Sequence, residues 1–288
     1  MIRVALLGAG AMGSRLAQNL LQAQYALIAY NRTADRVKPL ISQGAVYAAT
    51  PKAAAEQADI VISMVTDNES SRAVWLDPDV GAVLGLRAGS IAIESSTLTV
   101  DYTYELAATL TQQNVAFLDA PVVGSRPQAE AKKLIYLVGG EAETLNQVRM
   151  VLSSAGAGAI YRVGEIGQGM AMKLAVNALL GIQVAAVAEI IGMLSKRGIP
   201  GNQAMALLGD LPILSPAVKL AGNLMMTGDH APLFPIELVE KDFRYAIATA
   251  QTCGAEIPIS TVLRDVYQRA IAAGYGNTNI TGITQLFN

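Results

Sequence analysis

The stretch "VALLGAGAMGSRLAQNLLQ", residues 4–22, constrains the fold more than any other. A short continuous apolar run leads into Gly8, Gly10 and Gly13 at G-x-G-x-x-G spacing, and Leu16, Leu20 and Leu21 follow at helical spacing. A strand, a tight turn and a helix are the expected elements. In such a turn Gly8 permits the sharp bend, Gly10 lets the backbone approach a pyrophosphate, and Gly13 lets helix and strand pack closely. Ala11 and Met12 complete the turn, and the helix N-terminus offers N–H groups to phosphate oxygens.

The pattern continues along the first half of the chain. "ADIVISMV", "GSIAIESST", "NVAFLDAPVVG", "KLIYLVGG" and "GAIYRVG" are apolar strand-like runs. They are separated by helix-like segments such as "DYTYELAATLTQQ" and "EAETLNQVRMVLSSAG". This alternation predicts an α/β fold, a Rossmann-type doubly wound sheet whose ligand lies beyond the carboxyl ends of the strands. After about Val163 the strand signal stops, and helices are expected over 165–196, 200–209, 213–227, 235–252 and 258–274. The expected organisation is a nucleotide-binding domain over 1–163 and an all-α domain over 164–288, joined by a long helix.

Composition excludes several other classes. With 288 residues, 52% hydrophobic and 15% charged, the chain can bury a large core, and its net charge of -2 gives no basic footprint for nucleic acid. One cysteine, Cys253, allows no internal disulfide, and with one histidine, His230, no cysteine or histidine metal cluster is expected. A reduced, cytoplasmic setting is the resulting expectation. The uncharged stretch between Lys173 and Glu189 is fifteen residues and contains Asn177 and Gln183. A spanning helix needs roughly 20 apolar residues, so no membrane span is expected. The apolar run after Arg3 is too brief for a signal sequence.

The end of the second strand bears on which dinucleotide binds. An NAD enzyme usually presents Asp or Glu there to the ribose 2′-hydroxyl. In "YALIAYNRTADR" no carboxylate stands at that point; Asn31, Arg32, Thr33 and Arg36 form a cluster of donors and cations suited to a 2′-phosphate. NADP(H) is therefore the expected cofactor.

"GMAMKLAVNALLG", residues 169–181, places Lys173 in a run that otherwise carries no charge. Between Ile166 and Leu194 the only ionised side chains are Lys173 and Glu189. Desolvating an ammonium costs several kcal/mol unless something pairs with it, so a lysine there needs a reason. Asn177, four residues on, shares its helix face, and the pair can present a proton donor and an amide toward one cleft. His230 in "TGDHAPLFP" is read as a loop residue rather than as a competing acid.

Four motifs in order, "GAGAMG", "DAPVVG", "GMAMKLAVN" and "EKDFRYAIATAQTCG", make the chain resemble the beta-hydroxyacid dehydrogenase family over almost its full length. That family includes 3-hydroxyisobutyrate dehydrogenases and glyoxylate or succinic semialdehyde reductases, and imine reductases share its architecture. The resemblance implies that Lys173 is the general acid and base, with Asn177 beside the substrate. It makes Lys241 a lysine near the nicotinamide and substrate, and puts Val65, Thr66 and Thr97 in cofactor-contacting loops. It also implies a dimer or tetramer assembled through the long helix and the helical domain.

The chain departs from the usual D-A-P-V-S-G-G pattern: the serine that commonly helps bind a substrate carboxylate is Val123, and Ser125 replaces the second glycine. Backbone N–H groups at Gly124 and Ser125, or the nearby Arg126, are the expected substitutes, unless the substrate is less polar. The expected function is an NADP-dependent oxidoreductase interconverting a small aldehyde or keto acid with its alcohol. An ordinary lysine, with a pKa near 10.4, is a poor base, so burial and the second cation Lys241 are expected to depress it. An imine reductase is the alternative, against which Lys173 speaks; a non-catalytic dinucleotide-binding module is the other.

Overall fold

The computed structural model describes residues 2–287, which divide into two compact units, 1–173 and 174–288 by their numbering. The first unit contains strands β1 (Arg3–Leu7), β2 (Ala26–Tyr30), β3 (Val46–Tyr47), β4 (Ile60–Ser63), β5 (Ile91–Glu94), β6 (Ala116–Asp119), β7 (Val122–Val123), β8 (Leu134–Gly139) and β9 (Ala157–Gly164). Between them lie α1 (Gly13–Gln22), α2 (Lys38–Ile41), α3 (Pro51–Ala55), α4 (Asn68–Trp75), α5 (Val100–Thr111), α6 (Arg126–Glu130) and α7 (Ala142–Ala155). The sheet order is β3-β2-β1-β4-β5-β6-β8-β7, with β9 paired to β8. Pairing from β3 through to β6 is parallel, and β8 runs antiparallel to β6 and β7.

Both faces of this sheet are covered, as a parallel sheet requires. Alternate residues feed alternate layers: Val4, Leu6, Ile62 and Ile93 pack with Leu16 and Leu20 of α1 on one face. Ala5, Leu7, Val61 and Ala92 pack with Trp75, Leu106 and Leu110 on the other. The expected strand in "NVAFLDAPVVG" is broken in two at Ala120 and Pro121, because proline has no N–H to donate to the ladder.

The second unit is helical. It takes the larger part of α8 (Gln168–Lys196), then α9 (Gly201–Asp210), α10 (Pro216–Thr227), α11 (Ile236–Thr252) and α12 (Pro258–Ala270). The division therefore falls inside the long helix, whereas the strand signal alone placed it near Val163. The 29-residue α8 is long and apolar enough to cross a membrane by length and composition. Here its residues Val184, Ala188 and Ile191 are buried against Val218, Val239, Phe243 and Tyr267. Tyr267 donates from its buried hydroxyl to the Gly181 carbonyl at 2.9 Å, tying α12 to α8. The α-helical part of α12 ends at Ala270 rather than 274, giving way to a π-helical turn in which Gly274 takes φ +90°. In the final 3-10 helix, Ile280–Leu286, the apolar residues Ile280, Ile283 and Leu286 recur every third position, the period of that helix and not of an α-helix.

The start of α8 is held by a residue from the sheet. Asp119, the last residue of β6, accepts from the Gly167 N–H at 2.8 Å through Oδ1 and from the Met170 N–H at 2.7 Å through Oδ2. Burial pushes its carboxyl from the ordinary 3.8 up to about 7, against the pull of backbone N–H groups at Gly167, Met170, Asp119 itself and Gly169. In the unfolded chain the same group ionises near 3.8. Between those values the folded state binds the proton that the unfolded state has lost, so this group's contribution to stability falls as pH rises through that window. Stability of the wild type relative to Asp119→Asn should accordingly drop between pH 5 and 6 by up to about 1.4 kcal/mol per unit, with the slope falling to about half of that at pH 7. Urea denaturation across this range measures it, and a flat difference would mean that Asp119 titrates at its ordinary value.

Candidate active site

The sheet order reverses between β1 and β4, and the loops after β1, β2 and β4 open there onto one cleft of about 180 Å³. Gly8 sits at φ +108°, and a side chain on it would run into the Met64 carbonyl. A side chain on Gly13 would run into the Gly8 carbonyl. At Gly10 a Cβ would meet no atom within 4 Å, so the space the motif reserves for a ligand is open. Met12 is the N-cap of α1 and no side chain caps that helix; the Ser14 and Arg15 N–H groups donate to the Gly10 and Met12 carbonyls at 3.0 and 2.9 Å, so a pyrophosphate would be met by the N–H groups of the turn that precedes them. Ala11 is exposed beside it. This turn fits a dinucleotide pyrophosphate.

Arg32, Thr33 and Arg36 line the same cleft and are exposed. The Thr33 side chain makes no capping bond to the 3-10 helix Ala34–Val37 that it precedes. Asn31 also lines the cleft, but both ends of its amide are engaged within the protein. Its Oδ1 accepts from the Ala9 N–H at 2.9 Å and its Nδ2 donates to the Thr33 carbonyl at 2.9 Å. Asn31 therefore braces the glycine turn against the loop after β2, and the cationic part of the cluster is Arg32 and Arg36.

Val65 and Thr66 line the cleft from the β4 side. Their loop is tied to the next strand: the Val65 N–H donates to Ser96 Oγ at 2.8 Å, and the Ser96 N–H donates to Glu94 Oε1 at 2.9 Å. Glu94 is fully buried, with Ser71 Oγ donating to it at 2.6 Å and Trp75 Nε1 at 2.9 Å; burial pushes its carboxyl up, and the hydroxyl, indole and amide donors oppose that shift. Thr97, half-buried on the same loop, lies outside the lining of this cleft.

Lys173 and Asn177 both lie on α8, 7% and 6% exposed, one helical turn apart. In the helical unit Asn177 Nδ2 donates to Asp242 Oδ2 at 2.6 Å. Lys241 lies 3.1 Å from Asp242 Oδ1, a charge contact rather than an aligned hydrogen bond, with its ammonium 4.9 Å from the centre of the Tyr245 ring. Lys241 is not among the residues lining the nucleotide cleft. Asp242 follows Lys241 directly in "EKDFRYAIATAQTCG" and is the anion that a buried Lys241 requires. His230 holds its loop instead of facing a reaction, with Nδ1 3.1 Å from Thr281 Oγ1, and burial lowers its pKa.

The segment expected to meet a substrate carboxylate follows β6. Val123 is half-buried and paired with Ile135 across the β7–β8 ladder. Gly124 takes φ +124°, and a Cβ there would press on Leu134 and Gln128. Ser125 corrects one expectation: its N–H donates to Gln128 Oε1 at 2.9 Å in a capping arrangement at the start of α6, so it is not available to a carboxylate. Arg126 begins α6, and its buried Nε has no hydrogen-bond partner among the described residues.

This geometry agrees with known proteins. Residues 3–177 match the family model described as the NAD binding domain of 6-phosphogluconate dehydrogenase. Residues 167–287 match that of the NAD-binding region of NADP-dependent 3-hydroxyisobutyrate dehydrogenase. The chain is similar to the chloroplastic glyoxylate/succinic semialdehyde reductase 2 of Arabidopsis thaliana, 30% identical over 99% of this chain and 79% of that one. It is 34% identical to the uncharacterized oxidoreductase YfjR of Bacillus subtilis over 96% of each. The solved 3-hydroxyisobutyrate dehydrogenase of Mycobacterium tuberculosis with L-serine superposes with a TM-score of 0.91 at 26% identity, covering 100% of this chain and 99% of that one. A glycine turn open at Gly10, a doubly wound sheet, a helical second unit and these full-length matches together place the chain in the beta-hydroxyacid dehydrogenase family, as an oxidoreductase that binds a nicotinamide dinucleotide.

Proposed function

We propose that this protein is an NADP-dependent reductase and dehydrogenase of small carbonyl acids, interconverting an aldehyde or keto acid with its hydroxy acid, with Lys173 as general acid and base. The observation that carries the reading is a buried lysine on a largely apolar helix, 7% exposed, in a chain whose nucleotide cleft has the glycine turn and two arginines. A bound nicotinamide supplies hydride transfer to or from the carbonyl carbon. Lys173 stabilises the negative charge growing on the carbonyl oxygen and delivers a proton to it; in the oxidative direction it takes that proton back. The low-exposure helix face keeps water from competing for the proton. Arg126, whose Nε has no hydrogen-bond partner among the described residues, supports an acidic substrate through a donor other than the serine absent at Val123. Met172, Leu179, Ile190 and Met193 are exposed and fall within about 60° of one another around α8, which supports association of subunits through that helix.

Cofactor choice follows from the loop after β2. NADPH should bind more tightly than NADH, and Arg32→Ala should reduce the difference by about 1.5 to 3 kcal/mol, the worth of a hydrogen bond to a charged group. Fluorescence titration of both cofactors measures it; equal affinities in the wild type would sink the NADP assignment.

Val123→Ser restores a hydroxyl donor beside Gly124. It should raise kcat/KM for glyoxylate and succinic semialdehyde relative to uncharged aldehydes, since that ratio reports discrimination in the transition state. An unchanged ratio would mean that position 123 does not face the carboxylate.

Lys173→Met keeps the length of the side chain and removes its charge, so the fold and NADPH affinity should persist while kcat falls by about 10²- to 10⁴-fold. Lys173→Arg should be nearly as damaging, because guanidinium does not release its proton near neutral pH. Initial rates on glyoxylate, succinic semialdehyde, methylmalonate semialdehyde and cyclic imines also separate this reading from an imine reductase and from a binding module. A methionine variant that keeps more than about a tenth of wild-type kcat makes Lys173 structural.

A further inference from the structure

The first-turn donors of α8 meet an unusual acceptor. The first i→i−4 bond of the helix runs from the Ala171 N–H to the Gly167 carbonyl at 2.9 Å, which makes Gly167 the N-cap residue. A helix normally satisfies its early N–H groups with the side chain of that residue, and glycine has none. The missing acceptor comes from 48 and 51 residues earlier in the chain, as the two oxygens of Asp119 on Gly167 and Met170. Two glycines make room for this. A side chain on Gly139 would collide with Asp119 Oδ1, and one on Gly169 would stand 2.5 Å from the Leu137 carbonyl oxygen and 2.7 Å from the Gly139 nitrogen. The end of α8 is thus pressed onto the sheet with a carboxylate clasped between them.

Lys173 follows Met170 by three residues, about 4.5 Å further along the axis. We propose that Asp119 is the positioning residue for Lys173: its two oxygens set the height and rotation of the first turn of α8 and so the place where the ammonium is presented. This rests on the reading of Lys173 as the acid and base. Asp119 acts through the helix backbone, and a rigid support of this kind matters because a displacement of about 1 Å in a reacting group can cost on the order of 10²-fold in rate. Above pH 7, where the carboxyl is ionised and both oxygens accept, an amide at this position replaces one acceptor with a donor facing an N–H, so the turn must shift to relieve it.

The test is a cycle of four proteins: wild type, Asp119→Asn, Lys173→Met and the double variant. They are assayed above pH 7, where the Asp119 carboxyl is ionised, with saturating NADPH and the best carbonyl of the panel above, beside NADPH titration by fluorescence. Asp119→Asn should lower kcat by about 10- to 100-fold, with NADPH affinity changed less than about threefold, and should cost less than about twofold further in the Lys173→Met background, since residues that act as a unit are not additive. Asp119→Ser, which keeps a competent capping oxygen, should recover part of the lost kcat. Three results would overturn the proposal: an Asn variant within twofold of wild type, an equal loss in both backgrounds, or a loss matched by weakened NADPH binding. Should neither Asp119 variant fold, Asp119 is a folding residue and the proposal is likewise overturned. Amide exchange in the wild type adds an independent check, since exchange of Gly167 and Met170 at unprotected rates would show that the clasp does not hold. A Lys173→Met protein with wild-type turnover would instead refute the function assigned to the lysine, whatever Asp119 does.

Discussion

The rest of the structure depends on one long helix that buries a single face and yet has to carry polar groups on it. An apolar rod of 29 residues finds its neighbours without difficulty, because Val184, Ala188 and Ile191 gain from any dry surface they meet. Its ends and its two buried polar residues, Lys173 and Asn177, are the difficulty, since each unsatisfied donor in a dry setting costs about 1 to 3 kcal/mol. The protein answers with carboxylates brought from elsewhere in the chain: Asp119 at the first turn, and Asp242 on the amide of Asn177. Both acids are themselves almost completely buried, so each needs the donors as much as the donors need it.

The same logic recurs along the carboxyl edge of the sheet. Glu94 and Asp119 end neighbouring strands and face each other in register, and burial pushes both carboxyls upward. Each is held by hydroxyl, indole or backbone N–H groups, and each in turn holds a segment in place: Glu94 the loop of Val65 through Ser96, and Asp119 the start of α8. Ordering these loops in advance lowers the cost of binding a ligand against them.

Much of this is legible in the residues because it is local. The glycine spacing, the alternation of strand and helix, the lack of a carboxylate after β2 and the lysine within "GMAMKLAVN" all lie within a few positions of the features they announce. The roles of Gly8, Gly10 and Gly13 follow the same rule and are seen in the space around each. Element ends are less legible. Pro121 splits a strand that apolarity alone runs together, and the last turns depart from the α period at Gly274 and Ile280.

The sequence by itself determined the fold class, the dinucleotide turn, the arginine pair at its rim and the buried lysine, since periodicity and short-range spacing suffice for each. Only the tertiary structure decided which acceptors the buried donors meet. Asp119 lies 48 residues from Gly167 and Asp242 lies 65 from Asn177, and no spacing rule connects them. It also decided that the Asn31 amide braces a loop and that the Ser125 N–H is already spent on Gln128, because a hydrogen bond depends on distance and direction in space. The compact units part within α8, at a point that no break in its helical pattern marks, because the division is set by what packs on each half of the helix.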